Sequence, residues 1–451
     1  MNKTLLSVIT AAGLMASGSA LADTSLVEVY GTLNVDFENV QAKSATVPLP
    51  AAGIGQLGSA GAGAAAPSRN RVTSNSSNIG FRGKEDLGMG WNAIFQIETG
   101  IAMDSASGVA ATNTQSTGFL GTRNTNVGLS SQKFGTVFYG NWDTPYKALT
   151  NTLAFDPFYA TGIASGNAII GTPGFAVATT TAGGRATVLG AAAAVSNDAS
   201  FDRRQGNSVQ YWTPNIFGFS GRLVYSANEQ RSPETPAVPT VNINPAIYGA
   251  SLIYEYGPFR ATGAWEQHRD YFGLAVMGGA ASLPVAADNT SRDNGYKATL
   301  SYKLFGTTTA NVMWERLSYN NSDTVAGHLI HYHRDAIYFS LLHQIGAGTI
   351  RLGFGDAHQG SCDRAGGAIP APCSTTGLDA RQYSVGYSYS FSKRTDLYAF
   401  WTAINNGSFA TYQLGNGAGI GTAQSGATGA GGGAGGGSHN QGFGLGIRHV
   451  F

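Results

Sequence analysis

The chain has 451 residues, of which only 12% are charged, and its formal net charge is +1. The charged fraction is about half of the ~25% found in ordinary soluble domains. A net charge so close to zero argues against a disordered charged tail and against a protein that binds nucleic acid through a basic surface. Glycine is enriched, at 63 residues, without the three-residue period of collagen.

The first 22 residues have the features of a targeting segment. A lysine follows the start, Leu5 to Met15 form an apolar stretch, and Ala20-Leu21-Ala22 fits the small-x-small cleavage rule. We therefore expect a cleaved signal peptide at residues 1–22, with a single exported domain at residues 23–451. A buried N-terminal helix is the alternative. After this segment, no apolar run reaches the ~18 residues that a membrane-spanning helix needs.

Apolar and polar residues alternate with a period of two through the rest of the chain. Between residues 26 and 40, for example, Val27, Val29 and Val35 alternate with Glu28, Asn34 and other polar residues. An extended strand places such residues on opposite faces. Sixteen segments are predicted as strands, near residues 26–40, 71–83, 91–100, 123–131, 135–142, 205–213, 217–227, 247–256, 258–268, 294–304, 308–319, 332–345, 348–357, 380–391, 394–405 and 442–451.

The connections between these strands alternate strictly between short turns and long loops. The eight long ones lie near residues 39–70, 101–122, 143–204, 228–246, 269–293, 320–331, 358–379 and 406–439. An even number of strands with turns at one end and loops at the other is typical of a bacterial outer-membrane barrel. We therefore predict an all-β fold, a transmembrane 16-stranded antiparallel β-barrel.

Thirteen charged residues of the predicted strands share the polar face of their own strands, and the opposite face carries almost no charge at mid-strand. They are Glu28, Asp36, Arg82, Glu98, Arg222, Glu255, Arg260, Glu266, Lys297, Lys303, Glu315, Arg351 and Arg448. A soluble sandwich has the same periodicity, but the targeting segment, the loop asymmetry and the terminal Phe451 favour a barrel in lipid. A basic side chain facing lipid at mid-depth costs ~2–4 kcal/mol, which explains why the other face carries almost no charge at mid-strand. Sixteen strands enclose an aqueous channel.

The two cysteines, Cys362 and Cys373, lie close together in a stretch rich in glycine, alanine and proline. In an oxidising compartment such a pair predicts one disulfide that closes a loop. Two free thiols, or a metal site with further ligands, are the alternatives.

Eight stretches spread over the chain share the pattern of one family. They are Val29-Tyr30-Gly31-Thr32-Leu33, Ser77-Asn78-Ile79-Gly80-Phe81-Arg82-Gly83-Lys84-Glu85-Asp86-Leu87-Gly88, Asn126-Val127-Gly128-Leu129, Phe134-Gly135-Thr136-Val137, Asp143-Thr144-Pro145-Tyr146, Phe201-Asp202-Arg203-Arg204, Asn207-Ser208-Val209-Gln210-Tyr211 and Arg448-His449-Val450-Phe451. As a set they resemble the trimeric general porins of Gram-negative bacteria, in the beta-proteobacterial branch.

This resemblance implies a homotrimer in the outer membrane that lets ions and small hydrophilic solutes diffuse. It also implies that the third long loop, residues 143–204, folds inward and narrows the pore. The apolar run from Ala186 to Val195 within it reads as a short packed helix or exposed flap, or else as a second plug. Asn141 stands where the family often has an arginine, which argues against strong anion selectivity.

Opposed charges across a narrow wet gap set a local potential that favours one sign of ion. We expect wall bases at Arg82, Arg222, Arg260, Lys297 and Arg351. We expect loop acids at Asp143, Asp156, Asp198 and Asp202. For each of the bases the alternative is a charge away from the narrowest ring or one paired with a neighbouring glutamate.

Other sequence features are weaker candidates for a site. His328, His331 and His333 are either metal ligands or exposed loop histidines, and no metal or other cofactor is expected. Gly415 to Gly437 reads as a flexible surface loop, with contact to antibodies or phage as a hypothesis.

The leading function is a passive diffusion channel surrounded by outer-membrane lipid and lipopolysaccharide, with no nucleic-acid partner. A channel selective for one solute class is the runner-up. An outer-membrane enzyme, for which no Gly-x-Ser-x-Gly elbow is present, and a secreted β-rich adhesin are the remaining alternatives.

Overall fold

The computed structural model describes residues 26–43, 56–57, 66–101, 103, 120–174, 199–227, 244–274, 290–366, 373–414 and 436–451. The predicted signal peptide lies outside these ranges, as do Asp198, the run from Ala186 to Val195 and most of the glycine-rich segment. Within the described ranges, no helix has the length and apolar character needed to cross a bilayer.

Antiparallel strands form one continuous sheet. They are β1 (Leu26–Lys43), β2 (Ala66–Ser74), β3 (Asn78–Gly88), β4 (Trp91–Gly100), β5 (Thr125–Ser131), β6 (Gly135–Asp143), β7 (Arg204–Trp212), β8 (Phe219–Ala227), β9 (Ala246–Tyr256), β10 (Phe259–Arg269), β11 (Arg292–Leu304), β12 (Thr308–Asn320), β13 (Leu329–Ile345), β14 (Gly348–Ala357), β15 (Ser361–Arg364), β16 (Ala380–Ser390), β17 (Thr395–Asn406) and β18 (His439–Val450). Neighbours in sequence pair with each other, except that β2 does not pair with β3 and β15 pairs only with β13, and β1 pairs with β18. This last pairing closes the sheet into a barrel, which leaves no unpaired edge.

The 18 strand segments make 16 barrel strands, as predicted, because two barrel strands are interrupted. Both β2 and β3 pair with β1, and both β14 and β15 pair with β13. At the second interruption Gly360 has a φ of +73°, and a side chain there would clash with the carbonyl oxygen of His333. A glycine is therefore required at this bend.

Several strands extend further into the long loops than the sequence pattern indicated. The strand β1 continues to Lys43, β2 begins at Ala66, and β15 lies inside the segment 358–379 that was predicted as a loop. Polar side chains line these extensions, as in the 2.7 Å hydrogen bond from Asn39 Nδ2 to Asn70 Oδ1. Where a strand extends beyond the hydrocarbon layer, both of its faces contact water. The alternation of apolar and polar residues is therefore lost there, while the backbone hydrogen bonds between strands continue.

The two faces of the barrel differ in the way the alternation predicted. On β18, Phe443, Leu445 and Ile447 are exposed on the outer surface, whereas the intervening glycines are buried. On β11, Leu300 lies outward between Tyr296 and Tyr302. Aromatic residues that flank an apolar stretch mark the two borders of a hydrocarbon layer.

The interior is packed by the third loop. Its helix α1 (Pro145–Ala148) is capped by Thr144, and a single 3₁₀ turn spans Gly166–Ala168. Phe155, Phe158 and Ile169 of this loop are buried in one hydrophobic cluster with residues of the barrel wall such as Tyr338 and Phe400. Apolar burial therefore holds this loop against the inner face of the barrel.

The predicted disulfide is present: Cys362 on β15 is bonded to Cys373. We expect mass spectrometry of the non-reduced protein to find these two residues linked. Replacing both by serine should speed proteolysis of the segment 358–379 and leave channel conductance unchanged, because the bond closes a short outer loop. Two free thiols in the protein purified without reductant would contradict this expectation.

Candidate functional site

Charged side chains close the base of the third loop. Lys147 Nζ lies 3.4 Å from Asp143 Oδ1 and 3.5 Å from Asp202 Oδ1, and Arg204 Nη2 lies 3.4 Å from the same Asp143 oxygen. Burial lowers the pKa of the Lys147 ammonium, but the nearby Asp202 and Asp143 carboxylates outweigh it and raise this pKa above its ordinary value. Two of the predicted loop acids thus join the two ends of the loop.

A third predicted acid, Asp156, organises the middle of the loop. Its carboxylate accepts hydrogen bonds from Ser165 Oγ at 2.7 Å, from Gly166 N at 2.8 Å and from the Tyr338 hydroxyl at 3.0 Å. Burial raises the pKa of Asp156 above its ordinary value, against the effect of these hydrogen bonds. The side chain is only 3% exposed and serves to shape the loop.

A buried charge cluster on β12 and β13 holds the upper part of the loop. Glu315 accepts hydrogen bonds from the Tyr146 hydroxyl at 2.7 Å and from Gly171 N at 2.9 Å. Arg334 lies 3.3 Å from Glu315 and donates to the Ile169 carbonyl at 2.9 Å. Both charged side chains are completely buried, so each is the compensating charge for the other.

Two of the five predicted wall bases also contact this loop. Lys297 Nζ donates to Thr150 Oγ1 at 3.1 Å and lies 4.1 Å above the Tyr146 ring. Arg351 donates to the Pro157 carbonyl at 2.8 Å. Lys297 and Arg351 are therefore both in contact with the third loop.

The other three wall bases lie outside the contacts with this loop: Arg82 is on β3, Arg222 is on β8, and Arg260 is on β10, the strand next to the one that carries Lys297. Arg82 makes two 2.8 Å hydrogen bonds to Glu28, and both side chains are about half exposed. Arg260 lies 3.2 Å from Glu255. A cavity of about 710 Å³ opens in front of β3 to β7, and its lining includes Glu28, Arg82, Gln96, Asn126, Trp142 and Trp212. This side of the lumen is polar and accessible to water.

An aromatic group on the wall of this cavity was missed in the sequence. The rings of Trp142 and Trp212 lie 5.9 Å apart, and Phe138 packs edge-on against both, at 5.2 and 5.1 Å. The Arg222 guanidinium lies 4.4 Å above the Trp212 ring. The alternation in the sequence could have identified these residues, because the three rings occupy the inward, mostly polar face of β6 and β7.

The histidines near the outer end of β13 have local partners. His328 pairs with Asp323 at 2.6 Å, His331 with Asp363 at 3.1 Å, and His333 lies beside Ser361. In the part of the chain that the structure describes, no three histidine, cysteine or acidic side chains are grouped closely enough to hold a metal ion.

Comparison with known proteins gives a consistent assignment. The family profile described as "Gram-negative porin" matches residues 7–409. Outer membrane porin protein 32 of Delftia acidovorans is 25% identical, over 99% of both chains. The anion-selective porin from Comamonas acidovorans superposes with a TM-score of 0.63 at 22% identity, covering 95% of this chain and 100% of that one. The trimer form of OmpT from Vibrio cholerae has a TM-score of 0.55 at 14% identity, with the same coverage.

Proposed function

The chain belongs to the Gram-negative porin family, and from this premise we propose the route by which it conducts. As a porin it is an outer-membrane channel for passive diffusion of ions and small hydrophilic solutes, and not an enzyme. Solutes pass between the third loop and the wall formed by β3 to β8, where the cavity opens. The observation that carries this proposal is the asymmetric burial of charge. Lys297, Glu315 and Arg334 are buried beneath the loop, whereas Arg82 and Glu28 remain open to the cavity.

The assembly and processing of the chain follow the same family. The similar OmpT of Vibrio cholerae forms a trimer, and we infer a homotrimer here, with the remaining outer surface in contact with lipid and lipopolysaccharide. Removal of residues 1–22 during export is part of the same proposal.

The narrowest passage has weak rather than strong charge selectivity. Glu28 neutralises Arg82, Glu255 neutralises Arg260, and the neutral side chain of Asn141 donates to the Arg123 carbonyl. Arg222 is the exception, because no carboxylate in the described ranges forms an ion pair with it. This positive charge beside the passage favours anions modestly. The loop acids contribute little negative potential to the passage, because Asp143, Asp156 and Asp202 are already paired or hydrogen-bonded.

Reversal potentials across a potassium chloride gradient test this assignment. We expect a modest preference for chloride in the native protein, reduced in Arg222→Gln. A unit charge about 4 Å from an ion in water is worth ~1 kcal/mol, so the permeability ratio should change at most about fivefold. Arg316→Gln is the matched control, because Arg316 pairs with Asp335 on the outer face. Strong cation selectivity, or equal effects of the two substitutions, would contradict the proposed route.

A further inference from the structure

Two tryptophans lie on the wet side of the lumen. Trp142 and Trp212 line the cavity of about 710 Å³ and are only partly buried. Phe138, which is 1% exposed, packs edge-on behind both rings and holds them in place. Water solvates indole rings poorly, so a rigid pair of them facing an aqueous passage favours contact with an apolar part of a solute.

A positive charge lies directly beside this aromatic pair. Arg222 is opposite Trp212 in the β7–β8 pairing, and its guanidinium lies 4.4 Å above the Trp212 ring. In the described ranges it has no carboxylate partner, whereas the neighbouring base Arg260 is held by Glu255 at 3.2 Å. A stacked guanidinium keeps its edge donors free in a planar fork, the geometry that suits a carboxylate.

We propose that Trp142, Trp212 and Arg222 form a binding subsite for small aromatic carboxylates on the conducting route. The carboxylate of the solute pairs with the free edge of the Arg222 guanidinium, while its ring packs against the exposed indole surfaces. A simple inorganic anion makes only the first contact, and a neutral ring makes only the second. The inference rests on the proposed function, because the subsite lies on the proposed conducting route. It specifies which class of solute that route would bind.

The test measures chloride current through single channels in a planar bilayer while one probe at a time is added. We expect benzoate to reduce the current saturably. Acetate, which has the charge without the ring, and benzyl alcohol, which has the ring without the charge, should act only at much higher concentrations. Glucose should not block, because it has neither the charge nor a planar ring.

Substitutions test the charge contact and the ring contact separately. Arg222→Gln should raise the benzoate concentration for half-block about tenfold, since a charge-assisted hydrogen bond is lost. Trp142→Leu and Trp212→Leu should each raise it several-fold. The control variants Arg316→Gln and Trp314→Leu alter residues on the outer face and should leave the block unchanged. Heat-modifiable gel migration verifies folding of each variant, and Trp142→Leu is informative even where Trp212→Leu fails to fold.

The outcomes separate this inference from the proposed function. Acetate or benzyl alcohol blocking as well as benzoate, or an undiminished benzoate block in Arg222→Gln, would overturn the subsite and leave the channel intact. A folded protein without any chloride current would overturn the proposed route and the subsite with it.

Discussion

Replacing Glu315 by alanine should release the third loop from the barrel wall and raise the single-channel conductance. The substitution removes the acceptor for the Tyr146 hydroxyl and for Gly171 N. It also leaves Arg334 and Lys297 buried without their nearest counter-charge, at 3.3 and 4.0 Å. Breaking a buried ion pair by removing one partner costs ~3–5 kcal/mol. That is enough for the loop to populate an undocked state.

Protease cleavage within residues 143–204 and single-channel conductance together measure this effect. Asp363→Ala is the matched control, because Asp363 pairs with His331 at 3.1 Å in an exposed position near the outer end of β13. An exposed pair contributes ~0–1 kcal/mol, so this variant should resemble the native protein. Glu315→Gln keeps a hydrogen-bond acceptor and should be intermediate. Native conductance and native protease resistance in Glu315→Ala would show that the cluster does not hold the loop.

The second large effect is expected from Leu300→Arg on the outer face. Leu300 is 49% exposed on β11 and lies between the outward residues Tyr296 and Tyr302. An arginine at this depth faces hydrocarbon and costs ~2–4 kcal/mol at the bilayer midplane. The folded fraction in lipid vesicles should therefore fall at a lower urea concentration than for the native chain.

Ser301→Arg supplies the control on the opposite face of the same strand. Ser301 is paired across the sheet with Arg260 and Asn311 and faces the lumen, where a new guanidinium can reach water. We expect only a small loss of stability there, from repulsion by Arg260. Equal destabilisation by the two substitutions would contradict the assignment of outer and inner faces.

The strands were readable from the sequence because their pattern is local. A side chain two residues along a strand returns to the same face, so Phe443, Leu445 and Ile447 reveal their orientation without reference to any other strand. The cost of a charge in hydrocarbon acts on each strand separately, and it kept the outer face of β11 apolar. The disulfide followed from the short separation of Cys362 and Cys373.

The roles of the lumen charges were not readable in this way. Lys297 and Arg260 are equivalent in the pattern, since each is a base on the polar face of neighbouring strands. In the structure Tyr146 and Thr150 cover Lys297, whereas Arg260 stays partly open beside Glu255. Nothing near either residue in the sequence distinguishes them, because the covering loop is about 150 positions away from Lys297.

The sequence by itself determined a closed 16-stranded barrel with an apolar exterior and a charged interior, since both follow from alternation and from the solvent on each face. Only the tertiary structure decided which interior charges anchor the third loop, which remain open to water, and that Arg222 lies on Trp212. Those outcomes depend on which strands become neighbours when the sheet closes and on where a loop packs inside it. Both are long-range contacts that a period of two residues does not encode.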